Sequence, residues 1–476
     1  MNNSIIIRNI IWKFFEIGGR KGIQFVIQII LARLLLPTDY GIVALVVVFI
    51  TIANVFVNGG LSASVIQKKD VDELDYSSIF FTSLLVAAIT YLLLYFSAPW
   101  IASFYANTNL ISVIRILALT LFPGALNSLQ IAIISRKMQF KRLFISNIGA
   151  GLLSGIIGIS LAYLGYGVYA LVFQQLINQT IITIILWFSL KWRPKLGFSI
   201  LRVRNLFAYG WKILISSLIN TLYRDIRGLL IGKIYSPAML GYYNRGQQFP
   251  QVIVANIDSS IKAVMFPALS ANQDSLLKIK TMTRRAMKTS SFLLSPILVG
   301  MIVIAQPLVR FLLTEKWLPS VPYLQLFCIA YLFWPLQTAN IQAIKAIGRS
   351  DVFLKCEIIK ICFGTALLLI SLPFGVIYIA LGQVVTELIS YFINIYPVKK
   401  YISYGYTEQV KDVLPSVMLA SIMGVLILQL NRIAFSPIEL ISLQIICGGG
   451  FYFGLAAILK LESFTYLIAL TKGFKK

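Results

Sequence analysis

Basic and amide side chains recur at helical spacing inside stretches of this chain that are otherwise apolar, a pattern suited to holding an anionic ligand within a membrane. Between residues 206 and 235, Lys212, Ser216, Asn220, Arg224 and Arg227 follow at intervals of four, four, four and three, which places all five on one helical face. Glu16, Arg20, Gln24 and Gln28 repeat the interval of four nearer the N-terminus. Thr51, Asn54, Asn58 and Ser62 form a third polar face; Asn244, Gln248, Gln251, Asp258 and Lys262, with Arg245 beside them, form a fourth. A basic residue at the centre of a spanning helix costs about 2.5–3.5 kcal/mol on insertion scales, so it is expected to face water, a partner or a ligand. The bases of the four faces (Arg20, Lys212, Arg224, Arg227, Lys262 and Arg245) outnumber Glu16 and Asp258. Pairing among themselves therefore does not neutralise them, and a water-filled central cavity with a cationic lining is expected. The competing expectation is helix–helix pairing and snorkelling to the interface.

Other chemistries find little support. There is no histidine, which removes the commonest transition-metal ligand and the usual proton shuttle. Cys328, Cys356, Cys362 and Cys447 lack metal-ligand spacing and are expected to be free thiols. No metal or cofactor site is expected. Asp70-Val71-Asp72 is similar to the Asp-x-Asp pair of many glycosyltransferases. Its loop is too short for a nucleotide-binding domain, and the acids beside Lys68 and Lys69 are expected to form a solvated charge cluster. A membrane-bound glycan polymerase would need a long extracytoplasmic catalytic loop, and every outer connection is short. A non-enzyme is expected.

The elements that position these faces follow from composition. Of 476 residues 58% are hydrophobic and 12% charged, with mean hydropathy +0.83, against about 25% charged in soluble domains. Apolar runs of about 20 residues, enough to cross a bilayer, predict an all-α integral membrane protein with about fourteen spans. They lie near 10–36, 41–66, 78–104, 110–134, 143–164, 167–190, 206–235, 239–268, 288–313, 319–344, 352–374, 376–398, 413–431 and 437–459, with basic connections near 192–205 and 269–287. The net charge of +25 would suggest nucleic acid in a soluble protein. Here 28 lysines and arginines fall in alternate connections and the two termini, while the opposite connections hold only Lys316 and Arg432. Positive charge marks the cytoplasmic side, so both termini are expected in the cytoplasm and no nucleic acid is expected as a partner.

A shift of 200 residues lays the first two spans over the seventh and eighth. Arg33 then meets Lys233, Pro37 meets Pro237, Gly41 meets Gly241, Phe49 meets Phe249 and Ala63 meets Ala263. Two pseudo-symmetric six-helix lobes, 1–200 and 201–405, are expected around the cavity in a parallel repeat, with a C-terminal helix pair and basic tail over 406–476.

Several segments resemble the polysaccharide-transporter, Wzx-like branch of the multidrug/oligosaccharidyl-lipid/polysaccharide exporter superfamily, most nearly its teichuronic-acid and colanic-acid-type flippases. They are Leu36-Pro37-Thr38-Asp39-Tyr40-Gly41, Gln67-Lys68-Lys69-Asp70 ahead of Asp75, Ser77 and Phe80, and Arg136-Lys137-Met138-Gln139-Phe140-Lys141. Gly165-Tyr166-Gly167-Val168-Tyr169-Ala170 and Leu240-Gly241-Tyr242-Tyr243-Asn244-Arg245, with Phe249-Pro250 and Phe266-Pro267, complete the set. The resemblance implies flipping of an oligosaccharide on an undecaprenyl-pyrophosphate carrier across a bacterial or archaeal plasma membrane, with a polysaccharide polymerase as possible partner. For such a substrate Arg20, Arg224 and Arg227 suit the pyrophosphate, supported by Lys212, Asn220, Arg245 and Lys262. Gln24, Gln28, Asn58, Asn244 and Gln248 suit sugar hydroxyls, and the polyprenyl tail would stay among membrane lipids. Glu16 and Asp258 are the acids expected to carry a coupling ion, proton or sodium. A multidrug exporter of the same fold would need an anionic or aromatic pocket, the opposite sign.

Overall fold

The computed structural model describes residues 3–68, 70–433 and 435–473, with the side chains of all of these except 3–11, 13–17 and 470–473. Among the described residues every regular element is helical. The chain divides into two compact units, residues 1–241 and 242–476. The first contains α1 (Asn3–Leu34), α2 (Pro37–Asn58), α3 (Leu61–Gln67), α4 (Glu73–Phe104), α5 (Asn109–Ala118), α6 (Leu121–Arg136), α7 (Phe140–Tyr163), α8 (Val168–Ser189) and α9 (Ile200–Ile234). The division falls in the first turns of α10 (Pro237–Ser270). The second unit continues with α11 (Leu276–Leu313), α12 (Val321–Leu332), α13 (Trp334–Ala346), α14 (Ser350–Ser371) and α15 (Val376–Ile402), then α16 (Tyr406–Leu428), α17 (Pro437–Ile458) and α18 (Glu462–Gly473).

Among the described residues eleven helical segments are long and apolar enough to cross a membrane. The other three expected spans coincide with α1, α9 and α14. The protein is a multi-pass membrane protein. Two connections expected to be basic loops are partly helical: α9 already begins at Ile200 and α11 at Leu276. The reason lies in partners for the charges. In the second unit Arg284 donates to Asp412 through Nε and Nη2 at 2.8 and 2.9 Å, Lys288 lies 3.0 Å from the same carboxylate, and Tyr404 donates to it at 2.8 Å. These charges hold α11 against α16, beside a core of Phe292, Leu419, Met423 and Tyr452.

In the first unit the residues that carry the family resemblance work as joints. Pro37 opens α2, and Asp39 Oδ2 accepts the Leu36 N–H at 3.0 Å, as a helix start favours. Asp72 caps α4 by accepting the Asp75 N–H at 2.8 Å. The fully buried Asp75 accepts Lys68 Nζ at 2.6 Å and Arg202 Nη1 at 3.2 Å. The cluster expected to be solvated is therefore partly a buried lock between the start of α4 and α9. The Asp75 backbone N–H, and after it the Arg202 guanidinium, hold the Asp72 carboxyl below its ordinary range.

The first turns of α2 and α10 meet in a reciprocal contact. A Cβ on Gly41 would stand 1.6 Å from the Pro237 carbonyl oxygen, and one on Gly241 would stand 2.2 Å from that of Pro37. Only residues without a side chain let the two backbones approach this closely.

Candidate functional site

The site is built by α1, α7 and α8. Gly165 and Gly167, both at positive φ (82° and 51°), form the tight turn that folds α8 back along α7, a conformation glycine adopts without strain. The face of α7 is lined by small residues. A Cβ on Gly155 would lie 2.4 Å from Ile27 Cδ1 of α1, and one on Gly158 would lie 2.7 Å from Gln174 Cβ of α8. This close packing of helices through small residues is typical inside membranes.

Where the three helices diverge they leave a cavity of about 410 Å³, within the range of small-molecule sites. From α1 it is lined by Arg20, Gln24 and Gln28, and from α7 by Asn147. Two carboxamide pairs one turn apart on α8, Gln174-Gln175 and Asn178-Gln179, complete its polar wall. Ile27, Val47 and Ile182 supply apolar surface, and no carboxylate lines it among the described residues. Asn178 Nδ2 donates to Ser154 Oγ at 3.0 Å. The side chains of Gln24, Gln174, Gln175 and Gln179 have no hydrogen-bond partner among the described residues. Each carboxamide offers two N–H donors and a carbonyl acceptor, and leaving these unmet in an apolar setting is costly. Such a wall is matched by groups that donate and accept at once: water or the hydroxyls of a polyol.

Arg20, Gln24 and Gln28 are thus brought together as their spacing predicts. Glu16 has its side chain outside the described residues. Lys212, Asn220, Arg224 and Arg227 run along α9 and are not part of the cavity lining. Arg224 is exposed and forms a two-point ion pair with Asp225, Nε to Oδ1 at 2.9 Å and Nη2 to Oδ2 at 3.0 Å. Asp225 lies one residue off the stripe, so a balance drawn from the stripes alone overstates the free positive charge. The Arg227 guanidinium lies 5.5 Å from the Tyr223 ring. Asn220 and Asn58 donate to the carbonyls of Ser216 and Asn54 one turn back, each at 2.8 Å.

In the second unit Arg245 is buried, donates to Gln248 Oε1 and lies 5.5 Å from the Trp317 ring. Asp258, also buried, receives Lys262 Nζ at 2.6 Å and the Thr338 hydroxyl. Asn244 is half-buried on the same helix. Glu387 accepts Gln383 and Gln337 at 2.7 and 2.8 Å. Asn147, Gln174, Gln175, Asn178 and Gln179 escape a search keyed on charge. Their sequence signal is four carboxamides within six residues of an apolar helix.

A helical, multi-pass architecture with a polar cavity among its helices is that of a membrane transporter. The chain belongs to the polysaccharide biosynthesis protein family, whose model matches residues 30–322. It is 26% identical to the teichuronic acid biosynthesis protein TuaB of Bacillus subtilis, the match covering 63% of this chain and 62% of the relative. It is 23% identical to the lipopolysaccharide biosynthesis protein WzxC of Escherichia coli over 79% of this chain and 78% of the relative. Among solved structures, the lipid II flippase MurJ in an inward closed conformation matches with TM-score 0.78 at 18% identity, over 95% of this chain and 98% of that one. An inward-facing multidrug resistance transporter of the MATE family matches with TM-score 0.64 at 15% identity, over 80% of this chain and 94% of that one. The fold is that of the multidrug/oligosaccharidyl-lipid/polysaccharide exporter superfamily.

Proposed function

We propose that the protein flips a lipid-linked oligosaccharide from the cytoplasmic to the outer leaflet of a bacterial or archaeal plasma membrane, for assembly of a surface polysaccharide. The observation that carries this is the cavity of α1, α7 and α8, where one arginine and a wall of carboxamides, with no acid among the described residues, are set into an apolar helical unit. Family membership and the names of the relatives, which concern teichuronic acid and lipopolysaccharide, support the same direction. In this reading an undecaprenyl tail remains in lipid and the pyrophosphate is taken by Arg20, Arg224 and Arg227, Asp225 tempering the charge at Arg224. Alternating access between the repeats 1–200 and 201–405 moves the headgroup, with a proton, sodium or the membrane potential as driver and Glu16 and Asp258 as the acids to examine. A polysaccharide polymerase would consume the product. The multidrug alternative shares the fold but is disfavoured by a described lining whose one charged group, Arg20, is cationic.

The test is reconstitution into proteoliposomes with undecaprenyl diphosphate carrying a fluorescent oligosaccharide. Time-dependent protection of the label from a membrane-impermeant quencher is the expected result. Protection no faster than in protein-free vesicles, together with export of cationic dyes, would replace this function with the multidrug one.

A further inference from the structure

Resting on the flippase reading, we propose that the carboxamide wall is a sugar-selecting subsite that binds the hydroxyls of a neutral hexose or N-acetylhexosamine of the substrate, separately from whatever holds its diphosphate. Three observations converge on a polyol. First, Gln24, Gln174, Gln175 and Gln179 face one cavity with no protein partner among the described residues for their amide groups. Second, Gln175 and Gln179 stand one turn apart on α8, as do Gln174 and Asn178, so the donors and acceptors form a ladder. Successive ring hydroxyls, which both donate and accept, match such a ladder; a carboxylate or phosphate, which only accepts, would leave every amide carbonyl unmet. Third, among the described residues the lining contains no acid to attract a cation and no aromatic ring to stack a planar drug, while Ile27 and Ile182 offer aliphatic surface for the C–H face of a sugar. The wall therefore discriminates by hydroxyl pattern. A sugar presenting a hydrogen where the wall offers an amide strands that amide, and rejection of such an analogue is stronger than the loss of one contact suggests.

The experiment measures binding to the purified full chain by native mass spectrometry. The probes are bare undecaprenyl diphosphate and the same lipid carrying glucose, galactose, N-acetylglucosamine or glucuronic acid. Wild type is expected to bind at least one neutral-sugar lipid about tenfold or more tighter than the bare lipid. Gln175→Leu and Gln179→Leu keep the volume and suit a membrane helix, so they should fold. Each is expected to weaken that sugar lipid about 2- to 10-fold, the range of one net hydrogen bond, and the double variant to erase the preference while leaving bare-lipid affinity within about twofold. Gln→Asn at the same positions should restore part of it. Equal binding of bare and glycosylated lipids by wild type, a preference for the glucuronic acid lipid alone, or a preference that survives the double variant would overturn the subsite while leaving the flippase reading standing. Failure of every undecaprenyl lipid to bind, bare or glycosylated, would instead bring down the flippase reading and the subsite with it.

Discussion

Replacing Gly41 by alanine places a methyl group where the structure has backbone. The new Cβ would lie 1.6 Å from the Pro237 carbonyl oxygen, 2.3 Å from its carbonyl carbon and 2.9 Å from its Cα. Ordinary van der Waals contact begins near 3.4 Å, so the first turns of α2 and α10 must part by about 1.8 Å (3.4 less 1.6). No rotamer relieves this, because the obstructing atoms belong to the main chain. Overpacking costs about 1–3 kcal/mol, and contact with backbone rather than a movable side chain puts this case at the top of the range. For a body of 150–250 residues about 3 kcal/mol corresponds to roughly 6–12 °C in Tm. Gly241→Ala, whose Cβ would stand 2.2 Å from the Pro37 oxygen, needs about 1.2 Å of movement and should cost less. The double variant should cost less than the sum, since separation forced by one methyl also relieves the other. Thermal unfolding in detergent, followed by tryptophan fluorescence, measures all three. Gly22→Ala is the control: a Cβ there meets nothing within 4 Å, and the better helix former should leave Tm unchanged or raised. A Gly41→Ala protein that melts with wild type, or a Gly241→Ala protein that melts well below Gly41→Ala, would refute the account of this contact.

Four further outcomes are expected. Asp72→Asn keeps the helix cap but not the charge; because the folded carboxyl titrates below its ordinary value, the charge contribution is complete above about pH 4 and is lost as pH falls through the lowered value. The Tm gap between wild type and Asp72→Asn should thus be constant from neutral pH down to about 4 and close below it. A cysteine at position 200 should react with impermeant maleimide only from the cytoplasmic side, as should tags at both termini. Arg224→Gln with Arg227→Gln should reduce glycan export per molecule, as loss of a charged hydrogen bond weakens binding by about 1.5–3 kcal/mol; lysine at either position should rescue only in part, and undiminished export would exclude both from the anion site. Asp258→Asn and Lys262→Gln should show a coupling of about 1 kcal/mol or less in a double-mutant cycle, because Lys262 is half-exposed; if Asp258 also carries the coupling ion, Asp258→Asn abolishes gradient-driven export at unchanged folded abundance.

The fold was legible because membrane insertion imposes a coarse rule that composition obeys. Pro37, Asp72 and Gly167 stand at helix ends, where turn and capping chemistry put them; the second expected span, 41–66, is instead broken at Gly59. Legibility failed wherever a charge found a partner far along the chain. Arg202 and Arg284 look like loop residues in sequence, yet each sits on a helix against an aspartate more than 100 residues away. The same failure shaped the site. A stripe search ranks residues by charge and therefore found Arg20 and Arg224. It passed over Asp225, one position off the stripe, and over the α8 carboxamides, which carry no charge for such a search to register.

Amides are the less visible and more selective half of such a site. A guanidinium binds any phosphate, so the arginines carry no information about which glycan is attached. A carboxamide has fixed donor and acceptor ends and responds to where a hydroxyl lies. Two structures with the same cationic groups and different α8 amides would therefore move different sugars. The reciprocal contact of Gly41 with Pro237 and Gly241 with Pro37 has the complementary property. Each glycine lies against the carbonyl of the proline that stands four residues before the other glycine. The same four residues are among those that coincide at a 200-residue shift of the sequence. They answer to each other, and a change at one is constrained by its counterpart. In the proposed subsite Gln175 and Gln179 have no such counterpart among the described residues, which leaves them free to vary with the sugar they read.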